Sequence, residues 1–395
     1  MKRFLLTVSL IAFGSTLFVR SVDPIIPKIA EGFDILPATA ALLSTAFALP
    51  YALMQPVRGA LADVFGKARM MVLCLAIAAL ATFASALATT FPMLVAARIF
   101  AGAVSGGVFP AAVAIVGDVF PMAGRQVAIS RVLAAGMLGN LVGASVSGVV
   151  GDIWGWRGAF VITGLIAAVM LTPSRSLLRQ VKAAETSRPK LSAAMTNYRA
   201  IFANPLAKIC FGAVFLDALV IFGLFPYMAA LLQAEGETRA TIAGVVIAGF
   251  GLGGVVYSVV VQRLLTWFGD RWLMALGGFV MAATLAVIPF QPPWPIETIN
   301  FLVMGVAFFL LHGSIQVYVT ELAPVARGSA MALHSSSFFF GQAVGPIFYG
   351  LGFAHLGSAW TFALAAVVIA GVGVWSAASL RHPHVARPTA PAAAE

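Results

Sequence analysis

Residues 59–69 read GALADVFGKAR, a short polar stretch that lies between two long apolar runs. Gly59 has no side chain, so a helix that ends here can approach a neighbouring helix closely, and Gly66 permits a tight turn. Asp63 offers a carboxylate to a helix N-terminus or to a cation, and two basic residues follow it. The stretch is typical of a short loop that joins two helices at one face of a membrane.

The apolar runs on either side of this loop recur along the whole chain. Of the 395 residues, 61% are hydrophobic and 10% are charged, whereas a soluble domain has roughly 45–50% apolar and about 25% charged residues. About 20 apolar residues in a helix cross the hydrocarbon core of a bilayer. We therefore expect an all-α membrane protein in contact with lipid. The runs predict twelve spans, at roughly 4–27, 38–57, 70–90, 92–117, 128–150, 158–173, 207–232, 241–263, 272–290, 297–320, 329–353 and 358–379.

One long polar interruption divides the spans into two bundles of six helices. We predict an N-terminal bundle over 1–173, a cytoplasmic linker over 174–206, a C-terminal bundle over 207–380 and a disordered cytoplasmic tail over 381–395. The two cysteines lie in apolar runs of different halves, so we expect no disulfide and no metal site. No cofactor is expected.

Basic residues are concentrated on one side of this topology. With the N-terminus in the cytoplasm, nineteen of the 24 Lys and Arg residues fall in cytoplasmic segments, whereas only Lys28, Arg157 and Arg239 fall in the opposite loops. This asymmetry follows the positive-inside rule and predicts a multi-pass protein of the bacterial inner membrane with both termini in the cytoplasm. The pI near 10.1 therefore requires no nucleic-acid partner.

The two halves repeat each other at a nearly constant offset. Both halves begin on the same side, so the repeat is parallel, about an axis along the membrane normal, which is typical of carriers that work by alternating access. Shifts of 202 and 203 residues match Gly139 with Gly341, Asn140 with Gln342, Gly143 with Gly345, Gly155 with Gly357, Gly66 with Gly269 and Gly102 with Gly305.

The loop at 59–69 resembles the signature of the major facilitator superfamily, a run of the type G-x-L-A-D-R-x-G-R-K. The matching residues are Gly59, Leu61, Ala62, Asp63, Gly66, Lys67 and Arg69. The spans, the linker and the repeat extend the resemblance over the whole chain. It implies that Asp63 holds the two halves together on the cytoplasmic side, against the N-terminus of span 11. It also implies that Lys67 pairs with Asp118, shortly before Arg125.

Two further motifs resemble the drug:proton antiporter and sugar-efflux branch of that superfamily. Arg98 and Gly102 have the R-x-x-x-G spacing of the branch's fourth span. Residues 139–144 stand where the branch has G-P-x-x-G-G in its fifth span, with Asn140 in place of the proline. The resemblance implies a proton-coupled exporter, although the changed motif leaves the direction of transport open.

Few ionisable residues fall inside the spans, where such residues usually mark a functional pathway. Arg20 and Asp23 lie in span 1, Arg98 in span 4, Asp217 in span 7 and His312 in span 10. By the resemblance, these four spans line the central cavity. Arg20 and Asp23 are three residues apart and share a helix face, and two prolines after Asp23 favour a local break there.

We predict that Asp23 is the main protonation site, because Arg20 and Arg98 fall at a similar depth and can hold it ionised. Substrate would displace one of these arginines and so admit a proton. Asp217 and His312 are the next proton-coupling candidates. A packing role for Asp217 and a neutral, hydrogen-bonded His312 remain alternatives.

The cavity walls predicted from the sequence are partly aromatic and partly basic. Aromatic walls suit a lipophilic substrate, whereas an excess of arginine suits an anion. A structural role is expected for His334. The candidate cavity residues are Arg20, Arg98, Asn140, Phe222, Tyr227, His312, Gln316 and Phe338.

We expect a monomeric secondary transporter, not an enzyme, that exports a drug-like compound or small metabolite in exchange for protons. A symporter that imports a small organic anion is the alternative. A membrane-embedded enzyme or a passive channel is more remote, because no catalytic set or metal-binding spacing is evident.

Overall fold

The structure is a computed structural model that describes residues 2–120, 122–174, 177–178, 198–323 and 326–380, apart from the side chains at 2, 59–65, 109–110, 113–114, 117–118, 122–127 and 130. Within these ranges every regular element is helical. The longer helices are Lys2–Arg20, Ile26–Gly32, Pro37–Phe65, Lys67–Ala86, Phe91–Ser105, Val108–Val119, Met122–Met170, Leu206–Ala234, Ala240–Val287, Trp294–Glu321, Arg327–His355 and Gly357–Ser379.

These helices form twelve spans in the described part of the chain. Eight helical segments are long and apolar enough to cross a membrane, and two of them, 131–170 and 240–290, each contain a sharp bend and therefore form two spans. The bends are at Gly155 and Gly269. The remaining two spans are span 4, which is interrupted, and span 11. The predicted all-α fold with twelve spans is confirmed.

The sharp turns recur at the offset found in the sequence. Gly66 and Gly269 have φ angles of 88° and 74°, and they are 203 residues apart. Gly155 and Gly357 have φ angles of 69° and 78°, and they are 202 residues apart. A positive φ strains residues that carry a Cβ, so glycine is the residue suited to these four turns.

Helix packing repeats at the same offset. Gly102 of span 4 lies against the carbonyl of Phe47 in span 2, and Gly305 of span 10 lies against the carbonyl of Phe250 in span 8. A Cβ on either glycine would overlap that carbonyl, so only glycine allows the approach. Equivalent contacts join Gly139 to Phe13 and Gly341 to Phe215, and Gly143 to Leu17 and Gly345 to Leu219. The predicted repeat is therefore present in the packing of the two halves.

Spans 1 and 4 are both broken within their length. The first helix ends at Arg20, and a 3₁₀ turn over Asp23–Ile25 precedes the helix Ile26–Gly32. Pro24 and Pro27 lie at the start of those two elements, where proline is well tolerated. The predicted break at Asp23 is confirmed. Span 4 is interrupted between Ser105 and Val108, which the sequence analysis did not anticipate.

The halves meet along two pairs of spans. Span 2 packs against span 11, and span 5 packs against span 8. Each half also has its own apolar core, the larger being that of the second half. The cores also touch across the interface, since Ala41 and Ala144 of the first half pack with the core of the second, and Phe339 of the second half packs against the core of the first.

The helix of span 2 is longer than the predicted span. The apolar segment Pro37–Arg58 agrees with the predicted span 38–57, but the helix continues to Phe65, through part of the predicted loop. Arg58 is only 3% exposed. Hydropathy does not predict this extension because it falls at the first charged residue, whereas helical hydrogen bonding continues past it.

Candidate functional site

Asp23 is fully buried and both of its carboxylate oxygens are occupied. Oδ2 accepts a hydrogen bond from Arg20 Nη1 at 3.2 Å, and Oδ1 accepts one from Ser44 Oγ at 2.7 Å. The break in span 1 places Asp23 in the 3₁₀ turn directly after the first helix. The predicted pairing of Arg20 with Asp23 is confirmed, while its role in transport stays a prediction.

Arg20 also contacts the second half of the molecule. Its Nη2 donates to Gln342 Oε1 of span 11 at 2.7 Å. Its guanidinium carbon lies 4.4 Å from the ring centre of Phe222 and 4.8 Å from that of Phe225 in span 7, within the range of cation–π attraction. One arginine therefore connects a buried carboxylate of the first half to a polar residue of the second.

Arg98 lies beside this pair and is only partly satisfied. It is 1% exposed, and its Nη1 donates to the carbonyl of Phe18 at 3.2 Å, near the end of the first helix. Its guanidinium stacks over Phe47 at 4.4 Å. Its Nε and Nη2 have no partner among the described residues. Its charge interacts with that of Asp23, but the described contacts include no hydrogen bond between the two.

The charged residues of the first half occupy positions that are aromatic in the second half. Because the repeat offset is 202 to 203 residues, Arg20 and Phe222 are equivalent, and they stack on each other. Phe225 and Phe301, whose ring centres are 5.7 Å apart, likewise stand where the first half has Asp23 and Arg98. Positions related by the repeat are therefore charged in the first half and aromatic in the second.

A second buried polar cluster lies in the second half. Asp217 Oδ2 and His312 Nδ1 are 2.9 Å apart, and Asp217 is fully buried. The ring centre of His312 is 4.9 Å from that of His334. Asp217 Oδ1 and His334 Nε2 have no partner among the described residues. The sequence supplied no partner for Asp217 within its own span, because this partner comes from span 10.

Aromatic rings connect the two clusters. The ring centre of Phe222, which carries Arg20 on its face, is 5.1 Å from that of Phe338 and 5.1 Å from that of Phe308. Phe338 and Phe308 in turn lie 5.1 Å and 4.7 Å from the ring of His312. Packed aromatic rings therefore form a continuous chain of contacts between the two clusters.

The remaining cavity candidates are less closely grouped. Tyr227 donates its hydroxyl to the carbonyl of Pro346 at 2.7 Å, which joins spans 7 and 11 away from Phe222. Gln316 and Asn140 are half-buried, and Asn140 Oδ1 has no partner among the described residues.

Comparison with known proteins agrees with this architecture. The sequence profile of the Major Facilitator Superfamily matches residues 8–238 and again residues 210–395, once for each half. The chain belongs to the major facilitator superfamily. Members of this superfamily are transporters and not enzymes.

Three relatives illustrate the similarity within the superfamily. The uncharacterised MFS-type transporter YtbD of Bacillus subtilis (strain 168) is 28% identical over 358 residues, which cover 88% of this chain and 87% of the relative. Multidrug resistance protein 1 of the same organism is 22% identical, with 88% of each chain covered. The quinolone resistance protein NorA of Staphylococcus aureus (strain COL) is 23% identical, with 83% of this chain and 84% of the relative covered.

Solved structures share the fold at low sequence identity. A D-xylose–proton symporter aligns with a TM-score of 0.70 and 18% identity, over 95% of this chain and 96% of that one. A bacterial homologue of the human lysosomal transporter Spinster, in an inward-facing and unoccupied conformation, aligns with a TM-score of 0.64 and 19% identity, over 94% of each chain. At such identities these likenesses establish the fold alone.

The superfamily's cytoplasmic signature is described only in part. Gly66 forms the turn after span 2 with its positive φ, Lys67 begins the next helix, and Arg69 is exposed. For the other predicted gating residues, namely Gly59, Asp63, Asp118 and Arg125, the structure describes the backbone alone. The gating roles of the whole set therefore stay predictions.

On the predicted periplasmic side, a carboxylate of the first half caps a helix of the second half. Asp152, near the end of span 5, accepts hydrogen bonds from the backbone nitrogens of Ala240 and Thr241 at 2.9 and 2.8 Å and from Thr241 Oγ1 at 2.6 Å. Lys28 Nζ lies 3.1 Å from the same carboxylate. These contacts bind the first turn of span 8, where the helix dipole favours a negative charge. We call Asp152, Lys28, Ala240 and Thr241 the interdomain cap.

A loop ion pair lies beside the interdomain cap. Arg239 Nε and Nη2 donate to the carboxylate of Glu237. These hydrogen bonds and the charge of Arg239 lower the pKa of Glu237, so the pair stays charged in mildly acidic medium.

Several polar residues near these clusters were not among the predicted site residues, although the sequence analysis named Gln342 in the repeat and expected a structural role for His334. Ser44 and Gln342 contact the Asp23–Arg20 pair, His334 contacts His312, and Glu297 is buried beside Asn300, which donates to it at 3.2 Å. The repeat offers a signal for Gln342, because it is the equivalent of Asn140. The others depend on contacts between spans, which one sequence does not reveal.

Proposed function

We propose that this chain is a proton-coupled exporter that moves a drug-like compound or small metabolite by alternating access. The observation that carries the proposal is the double role of Arg20. This residue pairs with the buried Asp23 of its own half and donates to Gln342 of the other half. A ligand that replaces Arg20 on either partner therefore changes the charge of the site and the contact between halves together.

The transport cycle follows from that geometry. With no substrate, Arg20 and Ser44 occupy both oxygens of Asp23, which favours the ionised acid. Substrate that stacks on Phe222 competes with the guanidinium of Arg20, because both use the same ring face. The displaced guanidinium stays on Asp23 and keeps it ionised while substrate is bound. After substrate has left on the opposite side, a proton neutralises Asp23 and frees Arg20 to cover the ring, and release of that proton to the cytoplasm restores the ion pair. Substrate and proton then occupy the site in turn, as exchange requires.

Asp217 and His312 form the second proton-handling pair of the proposal. A carboxylate hydrogen-bonded to an imidazole can share one proton and release it when their distance changes. The packed rings of Phe222, Phe308 and Phe338 would transmit a movement of substrate to this pair. Coupling would then need both clusters.

The names of two relatives support export of a drug-like compound. One is a multidrug resistance protein and the other a quinolone resistance protein. The aromatic wall around Phe222 fits a flat lipophilic compound. We place the chain in a bacterial inner membrane as a monomer with both termini in the cytoplasm, on the strength of its basic asymmetry.

Import of a small organic anion together with a proton is the second candidate. It is favoured by Arg98, which is buried and has two nitrogens without partners among the described residues. Guanidinium nitrogens without partners can donate hydrogen bonds to the two oxygens of a carboxylate.

Inside-out vesicles that contain a pH-sensitive dye separate the two candidates. A panel of lipophilic cations, neutral compounds and organic acids is added outside vesicles whose lumen is acidic. Antiport predicts that the lumen becomes more alkaline when a substrate enters, whereas symport predicts that it becomes more acidic. Asp23→Asn should abolish either signal. If no compound moves protons in the wild-type vesicles, the coupling proposal is wrong.

A further inference from the structure

Arg58 is a buried cation that the proposed mechanism does not use. It lies in span 2, eight residues before the turn at Gly66, which is about 12 Å along a helix from the predicted cytoplasmic end. It is 3% exposed, although it directly precedes the signature that begins at Gly59. Its guanidinium sits at the interruption of span 4, where a Cβ on Gly106 would overlap Nη1. Because Gly106 has no side chain, the guanidinium of Arg58 fits against the backbone there. We call this position the seat of Arg58.

The contacts of Arg58 with described residues include no counter-charge. Nη2 donates to the carbonyl of Gly102 at 3.4 Å, near the upper limit for a hydrogen bond. The ring centre of Tyr51 is 5.7 Å away, and Nη1 has no partner among the described residues. None of the ion pairs in the described part of the chain involves Arg58. Burying an ion without a counter-charge is costly, so this arrangement calls for a partner of opposite charge.

Buried charges are also distributed unequally between the halves. In the described part of the first half, the buried ionised residues are Arg20, Arg58 and Arg98 against Asp23 alone. In the second half, the described buried acids are Asp217 and Glu297, and no described Lys or Arg is buried there. Among its described residues the first half thus has two more buried arginines than buried acids, and Arg58 and Arg98 both have donors without partners among the described residues.

We propose that Arg58 binds the anionic group of a transported organic acid, on the predicted cytoplasmic side of Arg98. This inference rests on the proposed transport function and specifies its substrate class. The seat of Arg58 and the position of Arg98 are both on span 4, eight residues apart, or about 12 Å along the helix. An anion therefore has two successive arginine sites along one span. Tyr51 also stacks on Phe339 of the other half, with their ring centres 3.7 Å apart. An anion bound at Arg58 would therefore lie next to the interface between the halves, which must rearrange during alternating access.

Calorimetric titration of the full-length protein in lipid nanodiscs tests the proposal. The probes are benzoate, hexanoate and phenyl phosphate, each compared with its neutral counterpart benzamide, hexanamide or phenol. At least one anion should bind the wild type tenfold or more tightly than its neutral counterpart. Arg58→Gln should weaken that binding at least tenfold, and Arg58→Lys should retain part of it, because it keeps the charge but not the fork of donors.

Two matched controls separate binding from folding. Arg157 also stacks on an aromatic ring, Trp156 at 4.1 Å, and donates to a backbone carbonyl, so Arg157→Gln removes a similar set of contacts elsewhere. Gly106→Ala displaces Arg58 without removing its charge and should also weaken binding tenfold. Gly371→Ala is its control, because a Cβ there meets nothing within 4 Å.

The outcomes distinguish this inference from the proposed function. If no anion binds the wild type better than its neutral counterpart, or if Arg58→Gln binds as Arg157→Gln does, the inference is wrong. If Arg58→Gln does not fold, the comparison of Gly106→Ala with Gly371→Ala decides in its place. Proton movement driven only by neutral or cationic compounds in the vesicle assay would leave proton-coupled transport standing and overturn the anionic substrate class alone.

Discussion

The interdomain cap offers a direct test of how the two halves are held together. Asp152 belongs to the first half, and the groups that donate to it, on Ala240 and Thr241, belong to the second. Asp152→Ala removes the cap from span 8 and leaves Lys28 without its partner. We expect this substitution to open the predicted periplasmic side of the molecule more often.

The size of the shift follows from the contacts that are lost. Loss of an N-terminal capping side chain costs about 0.5–2 kcal/mol, and a partly exposed ion pair contributes up to about 1 kcal/mol. The side chains of Asp152 and Lys28 are 22% and 30% exposed, so the ion pair is counted at the low end. The total is about 0.7–2.2 kcal/mol, which corresponds to roughly a 3- to 40-fold change in the ratio of closed to open molecules.

Spin-label distances across this side measure the change. Glu31 and Gln233 are exposed residues of different halves, and labels at cysteines introduced there report the separation. The two native cysteines, Cys74 and Cys210, are buried and are replaced by alanine in the background. Wild-type protein should give a single short distance, and Asp152→Ala should add a longer one in a large fraction of molecules.

Two substitutions of aspartate by the isosteric asparagine provide the control. Asp152→Asn keeps the shape but loses the charge, and should produce a smaller shift in the same direction. Asp34→Asn makes the same chemical change at an exposed aspartate on the same side and should leave the distances unchanged. If Asp152→Asn and Asp34→Asn give the same distance distribution, the interdomain cap does not hold this side closed.

Three further predictions follow from the packing and the second cluster. Asp217→Asn should abolish transport driven by a pH gradient while counterflow persists, as measured in proteoliposomes. Gly305→Val should lower the thermal unfolding midpoint, because overpacking costs about 1–3 kcal/mol, whereas Gly371→Val should not; equal midpoints would contradict the close contact between spans 8 and 10. Tyr51→Leu removes the stacking on Phe339, which is worth about 0.5–1.5 kcal/mol. A cysteine introduced between spans 2 and 11 should then react faster with a thiol reagent than it does with Tyr51 in place; an unchanged rate of labelling would refute this.

The fold could be predicted from the sequence because lipid imposes a simple rule. Each span must satisfy its own backbone hydrogen bonds, so apolar length alone marks the helices, and the glycine pairs mark the repeat. Gly102 and Gly305 were matched by offset, and the structure places each against the equivalent carbonyl. The continuation of the second helix past Arg58 to Phe65 was not predicted, because the first charge after the apolar run was interpreted as the start of the loop.

The candidate site could be predicted only as far as one helix determines it. Arg20 and Asp23 are three residues apart, so their pairing follows from helical geometry. The bond from Arg20 to Gln342, and the approach of His334 to His312, depend on how distant spans pack. Asp152 gave no signal at all, because an acid near the end of a span resembles an ordinary loop residue until its partner helix is in place.

The central claim is that protonation of Asp23, which releases Arg20 and alternates with substrate binding, couples transport to the proton gradient. The most direct measurement is accumulation of a substrate found in the vesicle assay, in proteoliposomes with an imposed pH gradient, for the wild type and for Asp23→Asn. We predict that Asp23→Asn exchanges substrate in counterflow but does not accumulate it in response to the gradient. Accumulation by Asp23→Asn equal to that of the wild type would contradict the account.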